Sequence, residues 1–460
     1  MNKDIIDKAN SFGLISLISK KFQVSEKSVY GYLYNLTDHA PDSILWGRKI
    51  IFSFLFFILL PFAFLTRKNK RNKEKVDVVF NIWNYNIRKN SYNQYYLSLD
   101  DILKKEGVKT KLYINKAPQN AFLEYGDYIS SDYVDKKNFV FRFLSVFFDF
   151  KFFFKIIGFS LKENVNFLYL FVRFFIGYIK IISFCKNINS SVYCSANDIE
   201  AYLLLHEILK KNNVKYILIQ SSLREQYHLL YKGADYVCCY SENQRNMYMH
   251  ESNDFKNVVS CGSIKNLEFL NKKVPVKYDV MLVEQFADRS GFAYASNEAY
   301  VDILKNYIRF SKEFPEYSFA YRVRPEKREE RRHIKLYDSI FEELEQSKII
   351  LDSEGSSYEA VKSSRLVIGY FSTLCFESIG LGVPALFFYY DDFKYEIFDY
   401  NNSSDDFLVT DSSYEIFKAS ILKKLKENNN EYFEKYKPIY MNQKESVVDD
   451  LLDEIRFHIN

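Results

Sequence analysis

The chain is poor in the residues that cross-link or punctuate folds. Its 460 positions hold 14 Gly, 8 Pro, 6 Cys and 2 Trp. The cysteines are scattered, only Cys238 and Cys239 are adjacent, and no C-x-x-C spacing occurs. That excludes a disulfide-stapled scaffold and predicts a reducing compartment. The six histidines show no metal-ligand spacing, so no metal site is expected. Lys and Arg total 63 against 59 for Asp and Glu. A surplus that small excludes nucleic acid as an expected partner. The first 49 residues are polar and lack an apolar core, so no signal peptide is expected. Internal repeats and low-complexity linkers are also lacking.

What is abundant is aromatic: 43 Phe and 38 Tyr. With Lys, Asn and Ile also frequent, part of that excess fits an AT-rich coding composition. The length predicts two domains, since single cores seldom outgrow roughly 250–300 residues. One apolar run, IIFSFLFFILLPFAFL at residues 50–65, is followed by a basic cluster of Arg67, Lys68, Lys70, Arg71, Lys73 and Lys75. As a helix it would extend only about 24 Å, short of the roughly 30 Å hydrocarbon core. Three readings stand: a re-entrant or interfacial anchor, a true span, and a buried core helix. The first is preferred, because the basic cluster would meet anionic head groups on the cytoplasmic leaflet. Residues 139–185 are dense in Phe, Leu and Ile. Arg142 and Asp149, like Arg173 and Lys180, lie seven apart and so share a helical face. Two amphipathic helices broken near 162–166 are predicted, either as core helices or as a membrane-facing surface admitting a lipid-linked acceptor.

Elsewhere strand and helix alternate. Strands are predicted at 76–83, 108–114, 191–194, 214–220, 236–240 and 258–262. After a polar linker at 271–277, further strands follow at 279–284, 317–323, 349–351, 366–369 and 385–388. Helices are expected between them, including 198–211, with 413–428 and 431–457 at the end. This is an α/β chain of two Rossmann-like domains facing across a cleft, preceded by a membrane-associated helical segment. The division is 1–75 for the N-terminal helices and anchor, 76–270 for the first domain, 271–430 for the second, and 431–460 for a last helix. Ligands of such sheets bind at the carboxyl ends of the strands.

The most informative stretch is LVIGYFSTLCFESIGLGVPALFF at 366–388. A buried strand runs into a Ser-Thr turn and a short helix. Ser372 and Thr373 fall where that helix begins, and a helix start carries unpaired N–H groups and partial positive charge that suit a phosphate. Glu377 follows one turn later, within reach of a sugar hydroxyl beside that phosphate. The alternative is an ordinary capped strand–helix–strand unit. Other candidates also follow strands. Arg322 and Arg324, in YRVRP, can hold a phosphate through a bidentate fork or belong to a solvated charge run. Gly291 permits close backbone approach of a ligand. Ser356 is a base or ribose contact or a helix cap. Asp198 is a candidate base for an acceptor hydroxyl or an N-terminal helix carboxylate. Ser263 and Lys265 sit at the domain junction.

These motifs resemble GT-B glycosyltransferases, nearest to bacterial surface-carbohydrate (capsule and O-antigen) proteins and to sialyl- and Kdo-transferase-like enzymes. Residues 377–384, ESIGLGVP, resemble the Glu-Ala-x-Ala-x-Gly-x-Pro pattern of many such enzymes. The resemblance implies a ribose role for Glu377 and a phosphate role for Ser372 and Thr373. Arg324 stands where sialyltransferase-like relatives have a His before Pro, and Ser221 and Ser222 stand where many have His-Gly after Gln, so the resemblance leaves Gln220 as the acceptor candidate there. The implied reaction is metal-independent transfer from a nucleotide-sugar donor, a substrate rather than a cofactor, to a lipid-linked or glycan acceptor. It would take place at the cytoplasmic face of the plasma membrane, with the protein held peripherally or monotopically. Three alternatives remain: a nucleotide-sugar 2-epimerase of the same fold, a polyol-phosphate transferase suggested by Tyr389-Tyr390-Asp391-Asp392, and a non-catalytic scaffold.

Overall fold

The computed structural model describes residues 2–38, 50–66, 71–72, 74–82, 95–114, 128–130, 133–285, 297–323, 335–390, 396–398 and 406–459. The first part holds helices α1 (Asn2–Ser11), α2 (Leu14–Phe22), α3 (Glu26–Asp38), α4 (Ile50–Leu65) and α5 (Leu97–Lys105). It continues with α6 (Lys136–Phe147), α7 (Phe150–Lys162), α8 (Phe167–Ile188), α9 (Leu203–Lys211), α10 (Gln226–Leu229), α11 (Glu242–Tyr248) and α12 (Leu267–Leu270). Its strands are β1 (Val76–Ile82), β2 (Thr110–Ile114), β3 (Tyr128–Ser130), β4 (Ser190–Ser195), β5 (Lys215–Ile219), β6 (Gly233–Cys239) and β7 (Asp254–Ser260). They form a parallel sheet in the order β3-β2-β1-β4-β5-β6-β7.

The second part adds β8 (Tyr278–Val283), α13 (Asn297–Glu313), β9 (Phe319–Arg322), α14 (Lys335–Glu345), β10 (Ile350–Asp352), α15 (Ser357–Lys362), β11 (Ser364–Gly369), α16 (Thr373–Gly380), β12 (Ala385–Phe388) and β13 (Leu408–Val409). Helices α17 (Tyr414–Lys426), α18 (Asn430–Tyr440) and α19 (Val447–Ile459) close the chain. The second sheet is also parallel, ordered β10-β9-β8-β11-β12-β13. Both orders reverse between the first and fourth strands, the doubly wound arrangement that opens a crevice at the reversal.

Period-two alternation splits the first domain into two cores. In β5, Tyr216 and Leu218 join the helical core, whereas Ile217 and Ile219 face the other way. The helical core takes in α1–α4 and α6–α9 together, so residues before β1 fold into the first domain rather than apart from it. Helix α8 is its centre. Its length and composition would let it cross a membrane, yet most of its residues are buried in this core. Arg173 and Lys180 share its exposed face, as the spacing predicts.

The structure corrects several expectations. Residues 139–185 form three helices, because Asp149 starts a new one. Its carboxylate accepts from the Phe152 N–H at 3.0 Å and pairs with Lys21 at 2.5 Å, so Arg142 and Asp149 are not on one helix. The predicted helix 198–211 begins only at Leu203. The predicted helix 431–457 breaks between Tyr440 and Val447. That break lets α19 return to the first domain, where Val447, Leu451, Leu452 and Ile455 cover the sheet face opposite the helices. Cys238 and Cys261 are joined by a disulfide, with Cα atoms 6.1 Å apart. The parallel pairing places Cys238 across from Val259, which brings a residue 23 positions away within reach. Spacing along the chain gives no sign of that adjacency.

Candidate functional site

The residues that meet across the domain seam follow the carboxyl ends of strands in both sheets. From the first domain come Tyr240, Ser263 and Lys265, after β6 and β7. From the second come Tyr358 and Glu377, after β10 and β11. Leu223, Tyr240 and Phe269 complete the second domain's core, so the seam is apolar as well as polar.

Helix α16 starts at the strand-order reversal of the second sheet. Ser372 is its N-terminal cap residue, with extended backbone (φ −66°, ψ 134°) and no side-chain capping bond. Its carbonyl accepts from the Cys375 N–H at 3.0 Å. The Phe371 N–H donates to Gln285 Oε1 at 2.8 Å, which ties the end of β8 to the turn. Ser372 and Thr373 are half-buried. Among the described residues, no hydrogen bond is found from the Ser372, Thr373 or Leu374 N–H of this helix start. Ser372 and Thr373 thus stand at a helix start, where the sequence places them.

Glu377, one turn further, is 1% exposed. Its Oε1 pairs with Lys265 Nζ at 2.6 Å and accepts from Ser263 Oγ at 2.8 Å. Its Oε2 accepts from the Tyr358 hydroxyl at 3.0 Å. Burial alone would lower the Lys265 pKa. The Glu377 carboxylate and the Tyr240 and Tyr95 phenols outweigh it and hold the ammonium's pKa well above its ordinary value. Burial pushes the Tyr240 and Tyr95 phenols upward. The Lys265 ammonium therefore stays charged though desolvated, and its contact with Glu377 joins the two domains.

The segment between α18 and α19 straps this junction. Gln443 Oε1 accepts from the Ser263 N–H and from Asn266 Nδ2, each at 3.0 Å. Asn442 N–H donates to the Tyr240 carbonyl and Lys444 N–H to the Cys261 carbonyl. Gly262 (φ +83°) is needed here, because a Cβ would lie 2.5 Å from Gln443 Cα. Gly380 lets α16 approach as closely, its Cβ position being 2.7 Å from both Asn266 Nδ2 and Met441 Cγ.

The remaining predicted residues divide. Arg322 is buried and occupied: Nη1 donates to Asp352 Oδ1 (2.8 Å) and the Glu354 carbonyl (2.7 Å), Nη2 to the Gly355 carbonyl (2.8 Å), and Nε to Ser357 Oγ (3.2 Å). It holds the loop beneath α15 rather than presenting its fork to a ligand. Ser356 caps α15 through the Tyr358 N–H. Asp198 is not in a helix. Its carboxylate takes both Arg224 Nη2 (2.7 Å) and Nε (3.0 Å) and the Ser221 hydroxyl (3.2 Å). Arg224 and Ser221 therefore already occupy this carboxylate. Gln220 is bonded to Ser222, Gln244 and the Tyr240 N–H inside the first domain. Arg324, Gly291, Asp391 and Asp392 lie outside the described residues.

Sequence reasoning missed Tyr358, Tyr240, Arg224 and Gln443, which carry no motif of their own. It also missed Glu225, which is 1% exposed. Burial and the neighbouring Glu396 charge push its pKa up to about 7.

Comparison with known proteins follows the same lines. Residues 222–406 match a family described as "putative O-antigen biosynthesis protein". That span contains Ser263, Lys265, Ser372 and Glu377. A "putative UDP-N-acetylglucosamine 2-epimerase" from Listeria monocytogenes is similar over 84% of this chain and 97% of its own, at 12% identity and a TM-score of 0.52. The chain has the GT-B fold. A UDP-GlcNAc 2-epimerase from Methanocaldococcus jannaschii aligns over 84% of this chain and 100% of its own, at 11% identity and a TM-score of 0.49. The wall teichoic acid polymerase TagF aligns over 89% and 98%, at 14% identity and a TM-score of 0.49. No curated protein matches in sequence. This GT-B chain thus resembles surface-carbohydrate biosynthesis proteins along the segment that builds its seam.

Proposed function

We propose that this GT-B protein transfers a sugar from a nucleotide-activated donor to a lipid-linked or glycan acceptor in the synthesis of a bacterial surface polysaccharide. The observation that carries the reading is the start of α16, with free N–H groups and two hydroxyls at the sheet's reversal point and Glu377 one turn beyond. The donor's phosphate is received by Ser372, Thr373 and the helix start, which stabilise the charge that builds on the leaving nucleotide. Glu377 receives a ribose hydroxyl at Oε2, which has a single recorded partner and keeps accepting capacity. Lys265 and Ser263 fix Glu377 from the first domain, so donor binding and domain docking act on one carboxylate. Arg322 and Ser356 serve indirectly by shaping the loop that presents Tyr358. No general base is assigned.

The test is thermal stabilisation by CMP-, UDP-, GDP- and CDP-linked donors, followed by donor hydrolysis and acceptor glycosylation. One nucleotide class should stabilise the wild type, and Ser372→Ala/Thr373→Ala should abolish that shift while leaving the fold intact. Stabilisation by none of them, with an unchanged surface glycan in a Glu377→Ala strain, refutes the reading. Epimerisation of a UDP-sugar with no acceptor present replaces it with the 2-epimerase reading.

A further inference from the structure

Helix α4 lies along the first domain with one face inward. Ser53, Phe57, Leu60 and Phe64 are buried. Ser53 Oγ accepts from Asn166 Nδ2 at 2.9 Å, and Phe57 packs on Phe143 of α6 (5.0 Å between ring centroids) and on Phe153 of α7 (5.5 Å). These contacts make α4, α6 and α7 one continuous layer.

The outer face of that layer is apolar. On α4, Phe52 and Phe62 are each 71% exposed, flanked by Ile51, Leu55 and Leu59. On α6, Phe141 and Leu144 are exposed, and Phe148 follows in the turn. On α7, Phe154 is 72% exposed, with Phe150 and Leu161 beside it. Together they present on the order of 1,500 Å² of apolar surface, several times the patch an ordinary monomer carries.

The charges on this layer are almost all of one sign. Helix α4 has none. Residues 136–162 carry Lys136, Lys137, Arg142, Lys151, Lys155 and Lys162 against a single carboxylate, Asp149, which Lys21 neutralises. Lys137 lies three and four residues before Val140 and Phe141, and Lys151 lies three before Phe154, so both stand on the apolar face or at its rim. An apolar face with Lys137 and Lys151 at its rim is complementary to acyl chains beneath anionic head groups. A soluble partner would have to supply a surface at once apolar and anionic.

We infer that α4, α6 and α7 form a monotopic docking face that lies in the plane of one leaflet of an anionic bilayer. The inner half of α4 stays on the protein, so the helix does not span. This inference stands on the exposed layer and does not depend on the reaction at the seam.

The test uses the purified full-length protein and vesicles of phosphatidylcholine with and without phosphatidylglycerol. Wild-type protein should float with the anionic vesicles. Phe52→Ser/Phe62→Ser/Phe154→Ser should weaken binding by at least about 100-fold. Lys137→Gln and Lys151→Gln should each weaken binding to the anionic vesicles by about fivefold, leaving neutral vesicles unaffected. A Phe154→Trp protein, which leaves the layer intact, should show blue-shifted emission quenched by brominated acyl chains. Failure of the wild type to float, or absence of quenching, overturns the inference. So does sedimentation showing that the triple substitution splits a dimer that never bound vesicles. Nucleotide-induced stabilisation, read on the same triple variant, reports the seam separately and should persist.

Discussion

Replacing Lys265 with Met tests whether the seam is held by charge. In the structure the Lys265 ammonium lies 2.6 Å from Glu377 Oε1 and both groups are almost inaccessible to water. Methionine fills the stem's volume but leaves the Glu377 carboxylate with hydroxyl donors only, from Ser263, Tyr358 and Tyr240. Breaking one side of a buried pair costs about 3–5 kcal/mol. Unfolding entropy for a chain of this length is about 1 kcal/mol per degree, so Tm should fall by about 3–5 °C if both domains melt together. Glu377→Gln should also destabilise, because it strands the ammonium. The double variant Lys265→Met/Glu377→Gln should be more stable than the sum of the single losses predicts, by about 2 kcal/mol or more. The assay is calorimetry on all four proteins at one pH. A Lys265→Met protein that melts like wild type, or single losses that simply add, would refute the argument that this pair couples the domains.

The carboxyl of Glu225, raised to about 7 by burial and by Glu396, binds its proton in the folded state when the unfolded chain has released it. Stability should therefore fall as pH rises from about 4.5 through 7, by at most about 3 kcal/mol, and Glu225→Gln should flatten that slope in denaturant titrations across this range. Arg322→Lys keeps the charge but loses the fork that grips Asp352, Glu354, Gly355 and Ser357. A loss of about 2–4 kcal/mol and faster proteolytic cutting of the 352–357 loop are expected. Gly262→Ala should cost about 2–4 kcal/mol, because it adds a left-handed penalty to a clash with the 441–444 strap. Gly382→Ala (φ +78°, with open space at the Cβ) should cost only about 1–2 kcal/mol, so equal melting temperatures would count against the strap.

Much of the fold is legible in local pattern. The linker at 271–277, the strand at 385–388 and the helix break near 163–166 follow from apolar period and from polar interruptions. The turn at 372–373 is legible because a helix start after a buried strand has a fixed electrostatic character. Arg322 shows the opposite case. Its sequence context suits a phosphate fork, but four neighbours on another loop claim its donors. Asp198 likewise has a catalytic residue's position after a strand, and only the arrival of Arg224, 26 residues later, shows that it is bound.

The sequence by itself determined most of the strands and helices, and that two β/α sets succeed one another, because hydrophobic period and helix-start chemistry act over a few residues. Only the tertiary structure decided what those segments meet. It paired Cys238 with Cys261, and it broke the last helix so that α19 closes the first domain. It also set Lys265 against Glu377 across the seam and laid α4 sideways with its outer half exposed. Each of these depends on distances between residues far apart in the chain, and packing fixes such distances where local propensity does not.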